Sequence, residues 1–332
     1  MRSILLILCV LFSLTLSAQD KKVVVSSASM MWDMVKNIAG DKVDNKLIVP
    51  IGGDPHIYDP TPGDAQKVAG ADLIFVNGLT FEGWINELIE NSGTKGKTIT
   101  VTKGIDAISS SVYKNAFDPH AWMDVSLALT YIKNIKDGLV EVDPDNAEFY
   151  NSNYSNYKER LEDLDAYIIK NINKIPEAKR ILITSHDAFS YYGRRYGLQV
   201  EGVIGISTES EAQTSDMIRI QKTIKASGVP AIFVETTINP KLLEQIAKDN
   251  NVSIGGSLFA DSIGEKGSGG NSYYDMLKSN TDVIVKALTQ SNTTDSEHKH
   301  SEGAQSSSLM AYGILTLVLI LALVFLIIKM NK

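Results

Sequence analysis

From Pro144 to Ile175 the chain has no glycine and no internal proline, and its residues are helix-tolerant throughout. Apolar and aromatic side chains at Phe149, Tyr150, Tyr154, Tyr157, Leu161, Leu164, Ala166, Ile168 and Ile169 approximate one helical stripe. Asp143 supplies an N-cap, Pro144 a first-turn proline, and Pro176 ends the run. About 30 residues at ~1.5 Å each extend ~45 Å, the length of a two-lobed body. On both sides of this rod short strands alternate with helices. Before it, strands are expected at Lys22–Ser26, Lys46–Pro50, Asp72–Val76 and Thr98–Val101. Helices are expected at Ala28–Ala39, with Ser27 as N-cap, and from Thr61 to Ala69. After it come strands Arg180–Thr184, Val200–Ile204, Ala231–Glu235 and Val252–Ser257, interleaved with helices Ala188–Tyr196, Ser215–Ser227, Pro240–Asn250 and Ser272–Thr289. Such an order predicts an α/β protein with mainly parallel sheets. Two (β/α) lobes, residues 19–142 and 177–289, are joined by a long rigid helix, residues 143–176.

The two ends read differently. Residues 1–18 carry Arg2, an apolar run from Ile4 to Leu16 and then Ser17-Ala18, the pattern of a cleaved signal peptide. The single cysteine, Cys9, lies inside it, so the exported chain would have neither disulfide nor thiolate ligand. An acylation box at Leu6-Ile7-Leu8-Cys9 is the competing reading, and the bulky Leu8 speaks against it. From Leu309 to Ile328 there is no charge, enough for the ~20 residues of a transmembrane helix. Lys329 and Lys332 follow and place the tail, 329–332, in the cytoplasm. Residues 290–308 are polar and Ser-rich, a flexible tether. His298 and His300 fall there, either as solvated residues or as a weak metal-collecting tag. The expected location is therefore the extracytoplasmic face of the membrane. The net charge of −7 argues against nucleic acid as a partner.

The remaining three of five histidines, His56, His120 and His186, recur at near-even intervals, and Asp261 continues the series. Each sits in or beside a turn that ends a strand-like run: KLIVP before GGDPH, FDPH, ILITSH and VSIGGSLFAD. A lone loop histidine is ordinarily a surface residue; several in comparable βα turns, followed by an aspartate, point to a metal site. Imidazole nitrogens with a carboxylate suit Zn2+ and, with more oxygen, Mn2+. Four protein ligands leave no open position for a catalytic water, so the set favours capture over catalysis. Asp54 and Asp118, each preceding Pro-His, are either acceptors for imidazole N–H groups or simple turn formers. Glu235, ending a strand, is a further candidate behind the ligands. Glu209 and Glu211 read as helix-start charges. A zinc hydrolase would need a general base, and no HExxH motif occurs.

The segments GGDPHIYDPTPGD, NGLTFEGW, DPHAWMD, ITSHDAFSYYGRRYGL, GISTESEA and SLFADSIG, in this order, resemble the zinc/manganese substrate-binding proteins of ABC transporters, the cluster A-I solute-binding family. The resemblance runs from about Lys22 to Leu288. It implies a monomer with a metal buried between two lobes, a rigid linking helix, and His56, His120, His186 and Asp261 as ligands. It also implies Zn2+ or Mn2+ as transported ligand and an ABC permease as partner, with surface adhesion as an alternative role of the same fold. Two departures stand out. The His- and acid-rich loop of many zinc-specific members is absent, and a C-terminal helix stands where many members carry an N-terminal lipid.

Overall fold

The computed structural model describes residues 20–109, 116–209 and 211–289. The expected signal peptide (1–18), tether (290–308), transmembrane helix (309–328) and tail (329–332) lie outside the described residues. Among those described, no helix is long and apolar enough to cross a membrane.

The first lobe holds four parallel strands, β1 (Lys22–Ser26), β2 (Val43–Leu47), β3 (Leu73–Val76) and β4 (Lys97–Thr100), in the order β2-β1-β3-β4. Helices α1 (Ser29–Ala39), α2 (Pro62–Ala69) and α3 (Ile85–Ser92) connect them, and α4 (Val125–Val142) follows β4 after a long loop. The apolar β3 is buried along its whole length, as the inner strand of a parallel sheet requires. Gly138 lets α4 approach that sheet: a Cβ there would lie 2.4 Å from Ile99 Cδ1. The second lobe pairs β5 (Ile181–His186) with β6 (Gln199–Ile204), and β7 (Ala231–Glu235) with β8 (Ser253–Leu258), all parallel. β5 lies alongside β7. Its helices are α6 (Ser190–Tyr196), α7 (Thr214–Ser227), α8 (Lys241–Asp249) and α9 (Tyr273–Thr289).

The linking helix α5 spans Ala147–Ile172. Its expected first turn is a separate 3-10 turn, Pro144–Asn146, because Pro144 has no N–H to give and Asp143 takes Asn146 Nδ2 and Tyr150 Oη on its carboxylate. α5 packs on α1 and α4 on one side and on α6 and α9 on the other. The largest apolar cluster follows it, running from Val24 and Met31 through Leu161 and Leu164 to Phe233 and Leu288. One core therefore serves both lobes, with smaller clusters around Ile74 and Ile232.

Two local expectations are corrected. Ser27 does not cap α1; its hydroxyl donates to the buried Glu82 carboxylate, and Ala28 occupies the cap position without a side-chain bond. At α7 it is Asp216 that closes a capping box with Gln213, so Glu209 and Glu211 lie outside the first turn. Thr61 does cap α2, in a reciprocal box with Asp64.

Candidate metal centre

The strand ends aim the site. His186 is the last residue of β5 and Glu235 the last of β7, side by side at the C-terminal ends of neighbouring strands. His56 lies in the loop after β2, His120 opens a 3-10 turn at Ala121–Met123, and Asp261 lies in the loop after β8. This is where ligands bind in parallel α/β sheets. Gly202 on β6 makes room for the His186 main chain: a Cβ would lie 2.7 Å from the His186 carbonyl carbon and 2.5 Å from the Asp187 amide nitrogen.

His56, His120, His186 and Asp261 converge: one nitrogen or oxygen from each falls within 4.8 Å of all the others. His56 Nε2 is 3.3 Å from His120 Nε2. Asp261 Oδ1 is 3.3 Å from His120 Nε2, and its Oδ2 is 3.2 Å from His186 Nε2. His120, His186 and Asp261 are fully buried, while His56 keeps 6 % exposure. His186 Nε2 and both Asp261 oxygens make no well-directed hydrogen bond. Buried lone pairs crowded in this way are costly unless a cation or protons lie among them.

Behind the candidate ligands sit two carboxylates. Asp118 Oδ1 accepts from His120 Nδ1 at 2.7 Å and from the His120 amide at 2.9 Å. Glu235 Oε2 lies 2.5 Å from His186 Nδ1, and its Oε1 accepts the His186 amide at 2.9 Å. Both turn Nε2 of their imidazole toward the centre. Asp54 behaves differently. It takes the His56 amide at 2.9 Å and makes no bond to the ring, which stands edge-on to Phe81 with centroids 4.9 Å apart. Of the two readings open for Asp54, imidazole acceptor and turn former, this geometry fits the turn former.

Electrostatics divides the imidazoles. Burial pushes His56 down to about 3, so it stays neutral. Burial would lower His120 too, but Asp118 and Asp261 override it and raise it to about 9. Against the same burial penalty, Glu235 and Asp261 raise His186 well above its ordinary value. Burial opposes ionisation of Asp261, yet His186 and His120 hold it well below the usual carboxylate range.

A supporting layer escapes the sequence reading. Asn77 Nδ2 donates to the Pro119 carbonyl at 3.0 Å, next to His120, while Asn77 Oδ1 accepts from Tyr131 Oη at 2.7 Å. Buried Glu82 receives the amides of Asn77 and Gly78. Tyr191 Oη donates to the Asp118 carbonyl at 2.9 Å. The signal was the NGLTFEGW segment, where Asn77-Gly78 reads as a plain turn.

The model of the family described as "Zinc-uptake complex component A periplasmic" matches residues 24–287. The manganese-binding lipoprotein MntA of Halalkalibacterium halodurans is 38% identical over 267 residues, covering 80% of this chain and 88% of that one. The manganese ABC transporter substrate-binding lipoprotein PsaA of Streptococcus pneumoniae is 36% identical over 296 residues, covering 87% and 96%. Among solved structures, the periplasmic zinc-binding protein TroA of Treponema pallidum superposes with a TM-score of 0.78 at 35% identity, covering 81% of this chain and 100% of that one. The manganese-bound periplasmic metal-binding protein of Candidatus Liberibacter asiaticus gives 0.75 at 33% identity, with the same coverage of 81% and 100%. Two α/β lobes, a buried cluster of imidazoles and carboxylate, and a match over most of the sequence agree: the chain belongs to the ZnuA family of periplasmic zinc-uptake components.

Proposed function

We propose that this protein captures one Zn2+ or Mn2+ ion outside the cytoplasm and delivers it, as a monomer, to an ABC permease. His56, His120, His186 and Asp261 are the ligands. Residues 19–142 and 177–289 are the lobes that present them, and 143–176 is the connector. The observation that carries this is the meeting of four buried ligating atoms within 4.8 Å, contributed from four separate segments. Asp118 and Glu235 add support by fixing two imidazoles with Nε2 inward. PsaA is named a manganese ABC transporter substrate-binding lipoprotein, MntA a manganese-binding lipoprotein and TroA a periplasmic zinc-binding protein, so the relatives carry both metals in their names. Three nitrogens with one carboxylate suit zinc, and a bidentate Asp261 would move the set toward manganese.

Protein purified without chelator should hold about one equivalent of Zn2+ or Mn2+ by elemental analysis. His120→Ala should hold none, and competition between the two ions then identifies the cargo. Equal metal content in wild type and variant would end the assignment.

For anchoring, we infer that the uncharged run from Leu309 to Ile328 holds the protein at the membrane, in place of the lipid of the named lipoproteins. Truncation after Gln290 should release the protein from membranes, and Cys9→Ala should leave it membrane-bound. The reverse pattern would establish a lipid anchor.

A further inference from the structure

Asp261 comes from the second lobe, yet its neighbours on both sides are tied to the first. Upstream, the Ala260 carbonyl accepts from Trp122 Nε1 at 3.1 Å. Downstream, Ser262 Oγ accepts the Gly52 amide at 2.8 Å and lies 3.0 Å from Ser29 Oγ. Ser262 Oγ donates to the Ile263 carbonyl at 2.9 Å, which leaves Ser29 as donor in the Ser29–Ser262 contact. Ser29 Oγ in turn accepts the Ile263 amide at 3.0 Å. Ser262 Oγ thus donates once and accepts twice, Ser29 Oγ donates once and accepts once, and both are buried, at 1 % and 2 % exposure.

Three segments meet here: the first turn of α1, the loop that carries His56, and the loop that carries Asp261. Resting on the metal-site reading above, we propose that Ser262 and Ser29 form a clasp that seats Asp261 against His56 and His120, with Ser262 a positioning residue that slows metal release. His56, His120 and Asp261 then form a pre-assembled half-site, and His186, held by Glu235 within the second lobe, completes it. Loss of the Ser29 hydroxyl strands the buried Ile263 amide, and loss of the Ser262 hydroxyl unties the exposed Gly52 from the Asp261 loop; either change loosens the loop on which Asp261 sits.

The test uses full-length protein in detergent with Ser262→Ala, Ser29→Ala and the double variant. Zn2+ dissociation into excess chelator and the visible spectrum of the Co2+-loaded protein are the two readouts. Each single variant should release Zn2+ about tenfold faster, and the double variant little faster than either, since both cut one clasp. The Co2+ bands should shift as Asp261 reorients. Release within twofold of wild type in Ser29→Ala, or additive rates with an unchanged Co2+ spectrum, would overturn the clasp. Ser29 is remote in sequence from every ligand, so its variant decides the matter even if Ser262→Ala does not fold. Wild-type protein that holds neither Zn2+ nor Co2+ would overturn the metal-site reading and the clasp with it, whereas tight wild-type binding with unaffected variants overturns the clasp alone.

Discussion

Binding of Zn2+ at pH 7 is expected to release close to two protons, and apparent affinity should fall roughly 10^4-fold between pH 7.5 and pH 5.5. The reason is charge. Asp118, Glu235 and Asp261 are buried around the centre, and without metal their counter-charges are the protons on His120 and His186. A divalent cation replaces those protons and leaves the formal charge of the site unchanged, so the low-dielectric interior tolerates both states. Each proton displaced makes the apparent binding constant rise about tenfold per pH unit, up to the imidazole's own titration. His56, lowered to about 3, takes no part and is ready as a neutral ligand throughout.

An unperturbed imidazole would place this dependence near ~6.5; Asp118 and Asp261 carry it upward, to about 9 at His120. Linkage also fixes the sign for the metal-free protein. Because His120 is raised in the folded state, its stabilising contribution is fully present below ~6.5 and is lost as pH climbs through about 9. Metal-free protein should therefore lose stability on the alkaline side, where metal-loaded protein does not. Calorimetric titration in buffers of different ionisation enthalpy counts the protons, and chelator competition across pH measures the affinity. Proton release near zero with flat affinity would mean that His120 and His186 keep their protons and are not ligands.

The convergence is legible for His56, His186 and Asp261, which end or follow β2, β5 and β8, because parallel strands deliver their C-terminal ends to one edge; His120 arrives by the long loop between β4 and α4. What lies behind them is less so. Asp54-Pro55-His56 and Asp118-Pro119-His120 are the same tripeptide, and in both the aspartate takes the amide two residues on. Only Asp118 also reaches the ring, because Phe81 and the other imidazoles set the rotamer of His56. Strand β2 lies three residues earlier than its apolar run suggests: Val43 to Leu47 pairs with Lys22 to Ser26, and Ile48 and Val49 sit in the turn that follows. The polar sequence VDNKL suits an edge strand and hides it from a search for apolar runs. The Ser29–Ser262 contact spans 233 residues and exists only through the packing of the lobes, so no local pattern announces it.

Asp261→Asn should cost at least ~10^3-fold in Zn2+ affinity, about 4 kcal/mol, against ~10 to 100-fold for Glu235→Gln. Asparagine preserves the shape of the side chain but removes the charge that faces His120 at 3.3 Å and His186 at 3.2 Å. It also turns one ligating oxygen into an N–H donor that cannot bind a cation. Glu235→Gln keeps a polar side chain beside the His186 ring and an acceptor for the His186 amide, and removes the charge that polarises that ring. The two variants differ in a second respect. Without the Asp261 charge, His120 and His186 both lose a group that raises them, so fewer protons should leave on metal binding. Glu235→Gln weakens the support of His186 alone. Competition against a chromophoric chelator orders the affinities, and proton counting separates the causes. If Asp261→Asn costs no more than Glu235→Gln, the carboxylate stands beside the metal as a counter-charge and does not ligate it; the site then binds through three imidazoles and keeps a fourth position open.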